Sequence, residues 1–215
     1  SLLRWLAANG LRPLLVDWDR PGAEERRFTL TDYIAGRLEV ALDAVLAATG
    51  RRPLVLGYCM GGNLALALAQ RRRKDISGLA LLATPWDFHA DEGGGAQGAQ
   101  ASAAAAALSP LLDLLGELPV DVIQSLFAGL DPQLVVRKFL TFSRMDPDSR
   151  KAATFVALED WLNDGVPLAA PVARECLAGW YGDNSTAIGR WRIAGKVVDP
   201  GAVDVPSLCV IPAGD

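Results

Sequence analysis

The stretch PLVLGYCMGGNLALALAQ, residues 53–70, decides the fold of this chain. Residues 54–56 are apolar and predict a short buried strand, whereas residues 63–70 predict a helix rich in Ala and Leu. The sequence GYCMGG at residues 57–62 joins the two. A strand, the pattern Gly-x-Cys-x-Gly-Gly and a helix form the layout of a nucleophile elbow in which a cysteine replaces the usual serine.

The glycines of this elbow have a steric role. The nucleophile lies on a sharp turn, and the residues two before and two after it must lack a Cβ, because the turn and the helix would otherwise collide. Gly57 and Gly61 hold these places, and Gly62 adds another glycine. The helix N-terminus favours a thiolate at Cys59, and the backbone N–H of Met60 points to where an oxyanion would form. The alternative is a glycine-rich turn with a buried structural cysteine.

Composition limits the class of protein. The chain has 215 residues, 51% of them hydrophobic, which is enough for one core or for a core with a cap. The net charge of −4 speaks against a nucleic-acid groove, and no apolar run reaches the roughly 18 residues of a transmembrane span. Three distant cysteines show no metal spacing and indicate a reducing, cytoplasmic compartment. The sequence shows no signal peptide. Because Ser1 is not a start methionine and the sequence ends abruptly at Asp215, we expect a piece of a longer protein.

Strand and helix patterns alternate up to residue 89. Residues 12–18 (RPLLVDW) and 76–83 (ISGLALLA) predict further strands. Residues 31–49 predict a helix that Gly50 ends. This order predicts an α/β fold, with a parallel sheet and helices on both of its faces.

The alternation stops in the middle of the chain. Residues 93–107 are rich in Gly and Ala and predict a mobile, low-complexity linker. Residues 108–181 predict a series of helices without a clear strand. We therefore expect an α/β core made of residues 1–89 and 182–215, with residues 90–181 inserted as a helical cap.

A catalytic acid is predicted at the end of the chain. Asp215 follows the strand predicted for residues 206–212 (PSLCVIP), at the edge where ligands bind in open parallel sheets. Asp215 thus fits the acid of a triad, although an Asp after a strand is equally often a turn residue. In this fold the order is nucleophile, acid, histidine, and the one histidine, His89, precedes Asp215. We interpret His89 as a polar residue at the cap hinge, and expect the true base beyond Asp215.

The remaining aromatic and thiol side chains have structural interpretations. Four aromatic residues are expected to pack in the core or the cap, namely Trp161, Trp180, Tyr181 and Trp191. Cys176 and Cys209 are expected to be small buried hydrophobic residues.

These segments resemble the polyhydroxyalkanoate synthase family of the α/β-hydrolase fold. The matching pieces are the elbow at residues 57–62, LALLATPWDF at residues 79–88, the long insertion, and residues 179–215. Residues 1–18 also look like the opening of that family. The resemblance covers most of the chain except the linker.

The resemblance implies an acyltransferase that polymerises 3-hydroxyacyl groups from coenzyme A thioesters into polyhydroxyalkanoate. Coenzyme A then enters as part of the substrate, without a separate cofactor or metal. A Cys nucleophile maps on Cys59 and an Asp after the cap maps on Asp215, whereas the later His maps on nothing here, so this piece by itself is expected to be inactive. The implied partners are the growing polyester and either a second copy or a second synthase subunit, in the cytoplasm or at the surface of polymer granules.

Three alternatives stay open. A cysteine hydrolase similar to dienelactone hydrolase has a comparable elbow, but its acid follows the cysteine closely, and Asp87 is the near competitor in this sequence. A general thioesterase or esterase of this fold is the second alternative. The third is a non-catalytic, granule-associated relative that kept the fold and lost the histidine. The residues beyond Asp215 in the parent protein discriminate between enzyme and binding protein.

Overall fold

The structure is a computed structural model that describes residues 2–90, 94–130 and 132–212. Its helices are α1 (Leu2–Ala8), α2 (Glu39–Thr49), α3 (Met60–Arg71), α4 (Gly94–Leu115), α5 (Val120–Leu130), α6 (Pro132–Phe142), α7 (Arg150–Asn163) and α8 (Ala170–Arg174). Its strands are β1 (Leu54–Tyr58), β2 (Gly78–Leu82), β3 (Glu117–Leu118), β4 (Leu168–Ala169), β5 (Arg192–Ile193), β6 (Lys196–Val197) and β7 (Ser207–Val210). Two π-helical segments, Asp32–Leu38 and Glu175–Gly182, precede α2 and follow α8.

The central sheet has three parallel strands in the order β1, β2, β7. In register, Leu54 faces Gly78, and Leu79 faces Ser207. The strands predicted within residues 54–56, 76–83 and 206–212 are thus confirmed, and so is the α/β class. Because all three strands run the same way, their carboxyl ends meet at one edge, where Cys59 follows β1.

The core lies between one face of the sheet and the helices α2 and α3. Helix α3 is buried along nearly its whole length because its side chains are small or aliphatic, and Gly50 ends α2 in the left-handed conformation (φ 62°) as predicted. The largest buried side chains around this core include Leu30, Ile34, Ile76, Leu79, Trp180 and Ile193.

The opposite face of the sheet is largely open to solvent among the described residues. Leu54 and Leu56 of β1 are 61% and 43% exposed, and Leu208 of β7 is 60% exposed. Cys209, predicted to be a buried strand residue, is also exposed. That prediction is wrong because β7 forms an edge of the described sheet, and strand composition alone does not say which strand lies at an edge.

The strand predicted for residues 12–18 is not formed among the described residues. This stretch has no regular secondary structure, and Leu14 and Leu15 are 53% and 73% exposed. A β-strand exists only when a neighbour supplies its ladder of hydrogen bonds. No described strand pairs with it, because β1 bonds only β2 within the described residues.

The mobile linker predicted for residues 93–107 is wrong for residues 94–107, which belong to helix α4; residue 93 lies outside the described residues. Alanine has the highest helix propensity, and the helix gains a packing partner in the π-helical segment Glu175–Gly182. Low complexity therefore reflects an Ala-rich helix here.

The segment between β2 and β7 is mainly helical, as predicted. Helices α5, α6 and α7 lie within residues 108–181, for which a series of helices is predicted. There are also two short antiparallel ribbons, β3 with β4 and β5 with β6. The first was not predicted, whereas residues 191–197, which form the second, predict a single short return strand. Neither ribbon joins the central sheet. The division into a core and a cap at residues 90–181 stays a prediction.

Candidate active site

Cys59 has the strained backbone expected of a nucleophile elbow. It lies between β1 and α3 with φ 50° and ψ −126°, a region that non-glycine residues rarely occupy. Two hydrogen bonds hold this turn: the Cys59 N–H donates to the carbonyl of Leu82 at 2.9 Å, and the Gly62 N–H donates to the carbonyl of Cys59 at 2.8 Å. The thiol is exposed at the carboxyl edge of the sheet.

The two glycines near Cys59 that have no room for a Cβ are Gly57 and Gly62, whereas Gly57 and Gly61 were predicted. A Cβ on Gly57 would lie 2.5 Å from the carbonyl oxygen of Gly61, so the steric argument is confirmed there. A Cβ on Gly61 would have no neighbour within 4 Å, so the same argument is wrong for Gly61. Gly62 takes that part instead, because a Cβ there would overlap the side chain of Thr84. The close approach is therefore between α3 and Thr84, two residues after the end of β2.

Helix α3 starts immediately after the thiol. Met60 is its first residue, and the first N–H groups of a helix have no acceptor within the helix. The twelve-residue helix also directs the positive end of its dipole at Cys59. The roles of Cys59 as nucleophile and of Met60 as oxyanion donor stay predictions.

Side chains from distant parts of the chain fix the loop that follows β2. The buried Asn63 of α3 donates from Nδ2 to the carbonyl of Pro85 at 2.7 Å. Asn184 accepts from the Phe88 N–H at 3.0 Å and donates to Asp87 at 2.7 Å. The Thr186 hydroxyl also donates to the carbonyl of Trp86. The beginning and the end of the long insertion are thus joined at this edge of the sheet.

The sequence analysis did not predict these loop contacts. Asn63 gave a usable signal, since it is a polar residue within the apolar helix sequence GGNLALALA. Asn184 gave a weaker one, because Asn tolerates the left-handed conformation that it adopts here (φ 51°).

His89 has a structural partner in this loop. Its Nε2 lies 2.8 Å from the carbonyl oxygen of Tyr181, so this nitrogen carries the proton and donates. A Cβ on Gly98 of α4 would lie 2.5 Å from the same nitrogen, which shows how closely α4 approaches. His89 thus connects the start of the insertion with its end, and its interpretation as a hinge residue stays a prediction.

The structure describes the surroundings of only one of the two candidate acids, Asp87. Asp215 lies outside the described residues; the strand that precedes it in the sequence, β7, pairs with β2. Asp87 is held by Asn184 and by the His89 N–H, and these hydrogen bonds lower the pKa of its carboxyl. Asp87 is therefore occupied in fixing the loop.

The aromatic residues near the site separate into two groups. Trp180 and Trp191 are 2% and 5% exposed and pack in the core, as expected. Trp161 is 57% exposed, so the expectation of buried packing is wrong for it. It contacts Tyr58, the residue before Cys59, with ring centroids 6.2 Å apart.

The second thiol, Cys176, is buried as predicted, and burial raises its pKa. Within residues 2–90, 94–130 and 132–212, no group of three His, Cys, Asp or Glu side chains is placed to hold a metal ion. In the same residues, no helix has the length and apolar character needed to span a bilayer.

A protein-family model described as alpha/beta hydrolase fold matches residues 2–164. The chain belongs to this family. The match covers the elbow, the sheet strands β1 and β2 and most of the helical insertion. The α/β hydrolase fold predicted from the elbow is therefore confirmed.

This α/β hydrolase chain is similar to several poly(3-hydroxyalkanoate) polymerase subunits called PhaC. It is 28% identical over 210 residues to that of Haloarcula marismortui, covering 97% of this chain and 44% of the relative. It is 28% identical over 212 residues to that of Synechocystis sp., covering 97% and 56%. It is 26% identical over 217 residues to that of Allochromatium vinosum, covering 100% and 60%. The resemblance seen in the motifs is confirmed, and the chain spans about half the length of these relatives.

Proposed function

We propose that this chain is part of a polyhydroxyalkanoate synthase in which Cys59 carries the acyl group. The observation that supports this most directly is the strained backbone of Cys59 (φ 50°, ψ −126°), exposed at the start of α3. The similar proteins are poly(3-hydroxyalkanoate) polymerase subunits, and they supply the reaction class. Coenzyme A enters as part of the substrate and leaves as the free thiol, and the growing polyester is the acceptor.

The proposed reaction has two acyl transfers. The Cys59 thiolate attacks the carbonyl carbon of a 3-hydroxyacyl-coenzyme A; the new carbon–sulfur bond replaces the old one, and coenzyme A leaves with a proton. The hydroxyl oxygen of the acceptor then attacks the thioester on Cys59 and gives its proton to the base; an ester bond forms as the carbon–sulfur bond breaks, and the thiolate is regenerated. Exchange between two thioesters is nearly balanced, so a cysteine suits the first step better than a serine.

Met60 supplies one part of the proposed machinery. As the first residue of α3, its N–H is available to the oxyanion of the tetrahedral intermediates. The strained turn and the contacts of Gly57 and Gly62 hold this N–H in place beside the thiol. In this proposal Gly61 contributes only its backbone at the N-terminus of α3, because no neighbour excludes a Cβ at this position.

The proposed triad needs two further groups. Asp215, which follows β7 by five residues in the sequence, would orient the base. His89 is an unsuitable base because its Nε2 donates to the Tyr181 carbonyl and α4 lies against it. The base is therefore proposed to come from outside these 215 residues, so residues 1–215 alone are expected not to turn over.

The test uses the full-length protein with 3-hydroxybutyryl-coenzyme A. Mass spectrometry should find a 3-hydroxyacyl adduct on the peptide that contains Cys59, together with release of coenzyme A. Cys59→Ala should remove the adduct and reduce release by at least about a thousandfold, as loss of a catalytic nucleophile does. Cys209→Ala is the matched control, since Cys209 is also an exposed thiol and should leave both signals intact.

The products distinguish the alternatives. Release of free 3-hydroxyacid without polymer would show a thioesterase in place of a polymerase. A full-length protein that forms no adduct at all would show a binding protein, and normal turnover in Cys59→Ala would refute the assignment of the nucleophile.

A further inference from the structure

An aromatic pair connects α7 to the elbow. Tyr58, the last residue of β1, and Trp161 of α7 have ring centroids 6.2 Å apart and planes inclined at 45°. Both side chains remain more than half exposed, at 55% and 57%. The pair therefore lies outside the core of the described residues, and Tyr58 directly precedes Cys59 in the sequence.

The apolar surface continues along α7. Leu158 lies three residues before Trp161 on the same side of the helix and is 53% exposed. The acidic neighbour Glu159 is neutralised by Lys138, whose Nζ lies 2.7 and 2.9 Å from the two carboxylate oxygens. The charge of Glu159 beside Leu158 and Trp161 is thus balanced, whereas Asp160, directly before Trp161, is exposed.

We propose that Trp161 is a specificity-determining residue: with Tyr58 it contacts the acyl group carried by Cys59 and favours longer acyl chains. This inference rests on the proposed function, because it takes the acyl group on Cys59 as the occupant of the surface. An acyl chain bonded to the thiol starts one residue from the pair, and each methylene group that it buries against apolar surface changes binding by about fourfold.

The experiment compares two substrates in the full-length protein. The ratio of kcat/KM for 3-hydroxyoctanoyl-coenzyme A to that for 3-hydroxybutyryl-coenzyme A is measured in wild type, Trp161→Ala and Trp161→Phe. Trp161→Ala should lower this ratio at least tenfold, because the longer substrate has four more methylene groups to lose contact. Trp161→Phe keeps an aromatic ring and should retain most of the ratio. Trp5→Ala is the matched control, since Trp5 of α1 is 62% exposed and should leave the ratio unchanged.

The outcomes separate this inference from the function on which it rests. An unchanged ratio in Trp161→Ala, with normal acylation of Cys59, overturns the inference alone. An equal loss for both substrates together with a change in oligomeric state also overturns it, because Trp161 would then cover a protein interface. A raised ratio overturns it by showing that the indole excludes long chains. If wild type forms no adduct on Cys59, the proposed function fails first and the inference fails with it.

Discussion

Gly57 and Gly61 occupy equivalent places on either side of Cys59, yet their surroundings differ. A Cβ on Gly57 would meet backbone atoms of both Gly61 and Gly62 at 2.5 Å, and backbone within a packed helix has little room to move. A Cβ on Gly61 would meet open space. The steric demand of the elbow therefore falls on the strand side of the turn and, through Gly62, on the contact with Thr84.

We expect Gly57→Ala to lower the free energy of unfolding by roughly 2 kcal/mol or more, since overpacking against backbone costs about this much. Gly61→Ala is the matched control and should be neutral or stabilising by up to about 1 kcal/mol, because Ala is favoured over Gly in a helix. Urea denaturation of both variants measures the difference. Equal destabilisation would show that the clearance around Gly61 is not as the structure has it.

Helix α4 shows how a close contact between elements depends on small residues. Gly98 is buried, and a Cβ there would lie 2.5 Å from His89 Nε2 and 2.9 Å from the carbonyl oxygen of Gly182. One turn further along, Ser102 Oγ would lie 2.5 Å from a Cβ on Gly182. Small side chains on both sides therefore allow α4 to approach the π-helical segment closely, and this contact gives the Ala-rich sequence a reason to stay helical.

Gly98→Ala should separate α4 from this segment and weaken the hydrogen bond between His89 and Tyr181. The expected results are a loss of roughly 1–3 kcal/mol in unfolding free energy and faster proteolysis within residues 94–107. Gly95→Ala should have the opposite sign, because a Cβ there would have no neighbour within 4 Å and Ala favours the helix by about 0.5–1 kcal/mol. Limited proteolysis with mass mapping measures the rate of cleavage within residues 94–107. Cleavage of this segment at the same high rate in every variant would instead support a mobile linker.

At the scale of the whole molecule, one buried carboxylate joins parts of the chain that are far apart in sequence. Glu117 of β3 has a side chain only 5% exposed, and its Oε1 lies 2.5 Å from Nη2 of Arg20. Its Oε2 lies 3.3 Å from Nε of Arg26. The hydrogen bond from Arg20, followed by the charges of both arginines, lowers the pKa of this carboxyl. The region after α4 is thus attached to the chain segment that precedes α2.

Glu117→Gln should lower the midpoint of urea denaturation at pH 7. Because the pKa of Glu117 is lower in the folded state than in the unfolded state, its contribution is complete above the unfolded pKa of about 4.3 and is lost as pH falls through the folded value. The difference between wild type and Glu117→Gln should therefore shrink below about pH 4. Glu24→Gln is the control, since Glu24 is 71% exposed and 3.9 Å from Arg37, and it should change neither the midpoint nor its pH dependence. A difference that is constant from pH 3 to pH 7 would contradict the ionic role of Glu117.

The sequence by itself determined the features that depend on neighbouring residues. Strand and helix sterics act within a few residues. They account for the apolar run before Gly57, the Ala- and Leu-rich helix α3 and the left-handed end of α2 at Gly50. The strained turn at Cys59 follows from the same local geometry. These features identified the α/β hydrolase fold and the candidate nucleophile.

Only the tertiary structure decided the features that depend on atoms from distant parts of the chain. Residues 12–18 have a strand's composition but no described partner, and Cys209 lies on a strand that forms an edge. Trp161 has a large aromatic side chain of the kind expected in a core, yet it is more than half exposed beside Tyr58. In each case composition gives the local preference, whereas burial and strand pairing depend on which elements come together, and that is fixed by packing across the whole chain.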